Sequence, residues 1–510
     1  MSKNKELAVN ITANFIYMIL NYAITFFLTS FVVTEISGEA YGFISLCNNV
    51  VNYATLVTVA LNSVSGRFIT IEMHRGNKKK ANEYFSSTLA ADIIMCIGIL
   101  LIFVPIAIKV DSIFEIPSNI VEDVRVLFLF VTFNLIITVI STVYTVATFI
   151  TNKLYLSSIA NALGNIARVL SLIYFMNFKI PNIKYVGVAT IVSSVIILAL
   201  NFSYTYKLCP ELRVERKAIL FIRVRELLMS GIWNSVTKLA QILSDGIDLV
   251  ISNIWVGAYD MGQLSIAYTI PTIVSAFLAM LINVFNPKLT EYYAKRNKKK
   301  IIYELKLNMK MTAFFGNVLF FGVITIGKDF FKLWVPTANI DMVYTLMVLA
   351  TVSVLVSSVV APLSNVFLLT NKLKVNSLVW LGVSFFDAII VIILLNTTNL
   401  GVYAVAGVSK IVGAIVNLVF LPNYASKCLK VRPIFFYAII LKYALSTVGV
   451  GIAMNVTRMF LGSDNSWILF GARVVCLSLV GLGVNYKFFL NKRERVYLKN
   501  TLKSKIIRER

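Results

Sequence analysis

Asn234, Lys238, Gln241, Asp245, Asp248 and Ser252 recur at steps of four, three, four, three and four residues inside a largely apolar run. That spacing places all six on one face of an α-helix for about five turns. Three of them carry charge. An ionisable group inside an apolar span costs about 2.5–3.5 kcal/mol on insertion scales, so such groups face protein or a water-filled cavity. The chemistry on offer is binding rather than bond-making. Lys238 supplies a cation, Asn234 and Gln241 supply amides, and Asp245 and Asp248 supply carboxylates able to hold a proton or a sodium ion. The same spacing also fits a polar seam between helices, or an internal pairing of Lys238 with Asp245 through neighbours.

Other apolar runs carry similar stripes. Asn10, Asn14, Tyr17, Asn21, Thr25 and Thr29 share a face near the N-terminus, and Asn48, Asn52, Thr55 and Asn62 follow in the next run. Asn161, Asn165 and Arg168 are spaced four and three apart, while Asn376, Trp380 and Asp387 lie on a later run. Lys410 is a further candidate cavity cation. Gln263, Asn283 and Asn286 lie on a run that Pro271 is expected to kink. A single amide of this kind is more often hydrogen-bonding glue between helices than a binding group. Asp92 lies near a span end, where it is expected to reach water.

The elements that position these residues are membrane helices. The chain has 510 residues, 58% apolar and 14% charged, whereas a soluble domain is roughly a quarter charged. Its apolar residues fall in blocks of about 20 or more, the length that crosses a bilayer. Fourteen spans are expected: 11–33, 41–63, 87–109, 124–147, 157–178, 185–206, 228–256, 263–286, 310–327, 342–364, 376–395, 400–421, 435–456 and 467–489. The fold class is all-α and polytopic.

The order of segments repeats. Thr151-Asn152-Lys153-Leu154 returns as Thr370-Asn371-Lys372-Leu373, and Asn77-Lys78-Lys79-Lys80 returns as Asn297-Lys298-Lys299-Lys300, at offsets of 219 and 220. The offsets map Asn14 onto Asn234, Asn21 onto Gln241, and Arg168 onto Asp387. Opposite charges at equivalent depth could pair across a cavity in one state and part in another; they could equally form a permanent pair, or be unrelated.

The expected organisation is a six-helix half (1–206), a basic linker (207–227) and a second six-helix half (228–421). An appended two-helix hairpin (422–489) and a basic tail (490–510) complete it. Two halves with even helix numbers are related by an axis along the membrane normal, the arrangement that places a substrate path at the repeat interface.

Most of the 48 Lys and Arg residues fall in the N-terminus, alternate loops and the tail. By the positive-inside rule both termini are expected in the cytoplasm. The net charge of +24 is then mainly a topology signal, with some attraction to anionic headgroups. A nucleic-acid partner is not expected, because the basic residues are split among loops. The first apolar run is read as an uncleaved helix, being too long for a signal peptide. Cys47, Cys96, Cys209, Cys428 and Cys476 form no CxxC pair, and His74 is the one histidine, so neither a metal site nor a histidine relay is expected.

Two loops carry a family resemblance. Leu61-Asn62-Ser63-Val64-Ser65-Gly66-Arg67-Phe68, with Glu72, Gly76-Asn77-Lys78 and Glu83-Tyr84-Phe85-Ser86, resembles the polysaccharide-transporter (Wzx-type flippase) branch of the multidrug/oligosaccharidyl-lipid/polysaccharide (MOP) superfamily. Gly327-Lys328-Asp329-Phe330-Phe331-Lys332-Leu333-Trp334-Val335 is similar to that branch as well. The resemblance implies a bacterial plasma-membrane flippase that moves an undecaprenyl-pyrophosphate-linked oligosaccharide from the inner to the outer leaflet. The lipid-linked glycan and the bilayer are then the partners, with other glycan-assembly membrane proteins as further candidates.

The residues are compatible with that chemistry. A diphosphate calls for Arg168, Lys238 and Lys410, and sugars call for Asn14, Asn21, Asn161, Asn165, Asn234 and Gln241. Asp245, Asp248 and Asp387 are candidates for a coupling proton or sodium ion. No other cofactor is expected.

Three alternatives stand beside this reading. A multidrug exporter of the same superfamily should have a carboxylate-rich cavity and twelve spans. A lipid II flippase resembles a chain with arginine in its first helix, and 11–33 has neither Arg nor Lys. A membrane glycan polymerase or ligase, an enzyme, needs a large outer loop with Arg or His, and no outer loop here exceeds about fifteen residues.

Overall fold

The computed structural model describes residues 3–178, 181–370, 372–462 and 466–490. Side chains are described for these except at 3–8, 10, 11, 14, 15, 244, 245, 287 and 294. Asn14 and Asp245 therefore lie outside the described side chains, as do Asn371 and the basic tail from 491 onward.

The described residues fold into nineteen α-helices. They are α1 (Lys3–Glu35), α2 (Gly38–Tyr53), α3 (Thr55–His74), α4 (Lys78–Ile108), α5 (Val110–Ile113), α6 (Val121–Tyr144) and α7 (Val146–Ile150). Next come α8 (Leu154–Phe178), α9 (Lys184–Leu208), α10 (Phe221–Trp255), α11 (Ala258–Asn283), α12 (Asn286–Ala294) and α13 (Lys298–Trp334). The last are α14 (Ile340–Val360), α15 (Asn365–Leu369), α16 (Leu373–Thr397), α17 (Val402–Leu429), α18 (Ile434–Phe460) and α19 (Trp467–Phe488).

Twelve described helices are long and apolar enough to cross a membrane, or thirteen if the bent pair α2–α3 counts as one span. The protein is a multi-pass membrane protein. Residues such as Leu101, Leu445 and Leu479 keep about two-thirds of their surface exposed, as lipid-facing side chains do.

One departure from the expected fourteen spans has a local cause. The predicted span 41–63 is two helices meeting at 62° around Ala54. There the Ala54 and Val57 N–H groups bond three residues back instead of four, and the Thr55 hydroxyl donates to the Asn52 carbonyl at 2.6 Å. Tight turns and hydroxyls competing for backbone carbonyls bend helices. The predicted span 228–256 falls on α10, a continuous helix that begins earlier, at Phe221, and ends at Trp255. Pro271, expected to kink its helix, lies inside a continuous α11.

The sequence repeat is a repeat of helix boundaries. Asn77 and Asn297 are both N-caps, accepting from the N–H groups of Lys80 (3.2 Å) and Lys300 (3.1 Å). The residue before each, Gly76 or Arg296, has positive φ. The TNKL matches are likewise equivalent: the Thr151 and Thr370 hydroxyls donate to the Ala147 and Val366 carbonyls.

The helices form two compact units. One comprises residues up to Ile266 together with Ser377–Thr397; the other comprises Ala267–Asn376 and the chain from Thr398 onward. The contacts thus assign α10 and most of α16 to the first unit, a division different from the one the repeat suggests. In that unit α10 lies along α3. A Cβ on Gly231 would collide with the Ala60 carbonyl oxygen, so only glycine permits this approach.

The linker 207–227 is part of the same unit. The Arg213 N–H donates to Asn82 Oδ1 (2.9 Å) and the Leu220 N–H to Ser87 Oγ (2.9 Å), while Ser86 Oγ donates to the Arg213 carbonyl (3.0 Å). Lys78 pairs with Glu211 at 2.6 Å, and Arg223 pairs with Glu83 at 2.9 Å. Below these bonds Leu61, Phe85, Tyr144, Leu212 and Leu227 share an apolar core.

In the second unit α13 packs on α14 and the hairpin α18–α19. Asn485 donates to Asn317 Oδ1 (2.7 Å) and to the Phe314 carbonyl (2.8 Å). It accepts from Asn317 (3.2 Å) and Ser446 (2.6 Å). Buried polar atoms in a membrane protein need such partners, and these bonds tie the hairpin to α13.

Candidate functional site

Three stripes predicted on separate helices meet in the first unit. The turns of α1 present Tyr17, Asn21, Thr25 and Thr29 at helical spacing, and α8 presents Asn161, Asn165 and Arg168. The Asn165 amide donates to Asn21 Oδ1 at 3.2 Å, and the Thr29 hydroxyl donates to Tyr41 Oη at 3.1 Å. These bonds fasten α1 to α8 on one side and to α2 on the other.

Between them is a cavity of about 260 Å³ lined by Thr25, Leu28 and Thr29 of α1, Tyr41, Ile44, Ser45, Asn48 and Asn49 of α2, and Arg168 of α8. Its wall combines one guanidinium with hydroxyls and amides, and no carboxylate lines it among the described residues. Arg168 Nε is buried without a hydrogen-bond partner, and no ion pair joins Arg168 to Asp387 or to another described acid. A guanidinium desolvated and left without a carboxylate is costly, and an anion entering the cavity offsets that cost. The arrangement can bind a phosphate-like group through Arg168 and hydroxyl-rich groups through the amides.

The stripe on α10 divides. Its first half is open: Asn234 and Lys238 are half-buried and Gln241 is exposed, with the Asn234 amide donating to Ser63 Oγ at 3.0 Å. Its second half is enclosed, with Asp248 at 1% and Ser252 at 0% exposure. Gly246 faces the side chains of Asn49 and Tyr53, so α10 passes beside the α2 wall of the cavity.

The buried face of α16 carries Ser377, Ser384 and Asp387. Ser377 bonds the Thr237 hydroxyl (2.6 Å) and Ser384 donates to the Ala240 carbonyl (3.4 Å), which places that face on α10. Lys410 belongs to the second unit, where its ammonium lies 5.1 Å from the centre of the Tyr268 ring.

Two features escaped the sequence reading. Tyr41, Ser45 and Asn49 line the cavity from α2, and their signal was present in the steps of four and three from Tyr41 through Ser45 to Asn48. Asp92, expected to reach water, is fully buried: it is 0% exposed and bonded by the Asn62 amide at 3.0 Å. Packing of α3 on α4 closes the position that span depth alone left open.

No family model matches the chain. It is 27% identical over 425 residues to an uncharacterized membrane protein, EpsK, of Bacillus subtilis (strain 168), covering 83% of each chain. Among solved structures it resembles the lipid II flippase MurJ in an inward closed conformation. That match has TM-score 0.69 and 13% identity over 94% of this chain and 99% of that one. It also resembles an inward-facing multidrug resistance MATE family transporter of the MOP superfamily, with TM-score 0.66 and 14% identity over 83% of this chain and 99% of that one. A MOP superfamily transporter from Pyrococcus furiosus, described as having a binding pocket of reversed polarity, matches with TM-score 0.59 and 14% identity. That match covers 84% of this chain and 95% of that one. The chain therefore has the fold of the MOP superfamily transporters.

Proposed function

We propose that this protein is a flippase that carries an undecaprenyl-pyrophosphate-linked oligosaccharide from the inner to the outer leaflet of the bacterial plasma membrane. The glycan is an O-antigen, capsular or exopolysaccharide repeat unit. The observation that carries the reading is the cavity between α1, α2 and α8, in which Arg168 stands among hydroxyls and amides with no lining carboxylate among the described residues. A diphosphate suits the guanidinium, and a glycan suits the Asn and Thr groups. A cavity for cationic drugs would reverse that charge. The fold shared with a lipid II flippase supports a lipid-linked cargo.

In this reading both termini are cytoplasmic and transport proceeds by alternating access. Lys238, Asn234 and Gln241 extend the binding surface along α10, and Lys410 is a further candidate cation for the diphosphate. Asp245, Asp248 and Asp387 are the carboxylates offered to a coupling proton or sodium ion.

The test is to deplete the protein in its host and measure glycan-loaded undecaprenyl pyrophosphate in each leaflet. Accumulation on the cytoplasmic side supports flipping. Unchanged lipid-linked glycan with altered resistance to cationic dyes would overturn it in favour of a drug exporter.

A further inference from the structure

Asp92 of α4 and Asn62 of α3 form a pair that lacks a donor. The Asn62 Nδ2 group donates to Asp92 Oδ1 at 3.0 Å. The other two oxygens, Asp92 Oδ2 and Asn62 Oδ1, are both buried, and neither has a hydrogen-bond partner. An ionised carboxylate and an amide oxygen are acceptors only, so neither can satisfy the other. One proton on Asp92 Oδ2 supplies the missing donor. The pair then becomes a carboxylic acid and a primary amide, each able to donate to the other.

The surroundings favour the neutral form. Asp92 is 0% exposed, and no cation pairs with it among the described residues. On its own helix the titratable neighbour is Cys96, one turn on. On α10, Arg223 pairs with Glu83 and Glu226, more than two turns nearer the start of α4, and Lys238 makes no ion pair with another described side chain. On α3, Arg67 is exposed and lies over the Phe68 ring, and Glu72 pairs with Arg75 and Lys80. The charges of α6 are at its first turn, where Arg125 pairs with Asp111 and Glu122, and Lys184 pairs with Asp123.

We infer that Asp92 is a proton-binding site, with Asn62 as its positioning residue. The step is proton binding alone: an O–H bond forms on Oδ2, the carboxylate charge is neutralised, and no other bond changes. Use of this proton to couple transport rests on the flippase reading; its binding and release do not.

The test is infrared difference spectroscopy of the full chain in nanodiscs, acidified from about pH 9 to about pH 5. The expected result is a protonated-carboxyl C=O band that grows with acid, shifts in D2O and is lost in Asp92→Asn. Asn62→Ala should keep the band and shift its midpoint. A melting curve of Asp92→Asn checks that the variant is folded.

Three outcomes overturn the inference. A difference band that persists in Asp92→Asn assigns the proton to another group. An Asp92-dependent C=O band that is present in the absolute spectra at both pH values, and so cancels in the difference, marks a structural acid that never releases its proton. No protonated band, with melting raised by NaCl over equal KCl only when Asp92 is present, marks a metal-cation site instead. None of these depends on the transported substrate, so failure here leaves the flippase reading standing.

Discussion

The amide of Asn165 donates to Asn21 Oδ1 at 3.2 Å, joining two helices whose residues are 144 positions apart. One turn further along α8, Arg168 enters the cavity that this bond helps to frame. The bond fixes the angle between α1 and α8, and so the reach of the guanidinium. An arginine in a lipid-spanning helix is tolerated where it faces a polar cavity, as Arg168 does.

Arg168→Ala should reduce export of the lipid-linked glycan by about 10- to 100-fold, the loss of a charged hydrogen bond worth about 1.5–3 kcal/mol. Arg168→Lys should recover part of it, because a point charge replaces a two-point fork. Complementation of a deletion strain, scored by surface glycan with membrane abundance as control, measures both. Full export by Arg168→Ala would remove the cavity from the mechanism.

Gly231→Ala should destabilise the first unit by about 1–3 kcal/mol or more, because the new methyl collides with the Ala60 carbonyl and backbone cannot step aside. Gly98→Ala is the matched control, with open space around its Cα. Melting temperatures in detergent should separate the two variants clearly.

Asn485→Leu should loosen the C-terminal hairpin. It removes four hydrogen bonds and leaves Asn317 and Ser446 short of buried partners, at a cost of about 1–3 kcal/mol for each unsatisfied group. Hydrogen exchange should rise in α19 while α2 and α3 stay protected. Equal exchange in α19 of both proteins would show that apolar packing alone holds the hairpin.

The linker latch should weaken in acid. A bond from Lys78 holds the Glu211 carboxyl below its ordinary range, and bonds from Tyr84 and Arg223 do the same for Glu226. A carboxylate with a lowered folded-state value contributes its stability above its unfolded value of about 4.5 and loses it as pH falls through the folded one. Exchange at 211–220 should therefore be slow at neutral pH and faster below about pH 4. Glu211→Gln should remove part of that pH dependence. A profile unchanged in Glu211→Gln would assign the effect to other groups.

Much of this protein is determined locally and is legible in the residues themselves. Membrane class follows from the length of apolar runs, because about 20 residues of helix match a bilayer. The stripes of α1, α8 and α10 follow from helical periodicity, which assigns each residue a face without reference to any other helix. Asn77 and Asn297 announce two equivalent helix starts because capping involves residues three positions apart.

What tertiary structure decided is which faces meet and what they enclose. Arg168 faces hydroxyls of α1 and α2, although its sequence counterpart is the carboxylate of Asp387. Asp92 is enclosed by α3, and the linker is strapped to α4. The run 41–63 is bent at Ala54. The physical reason is the same in each case: burial and partnering depend on how closely helices cross. That closeness is set by contacts between residues distant in the chain, such as Gly231 on the backbone of Ala60, and helical periodicity does not encode them.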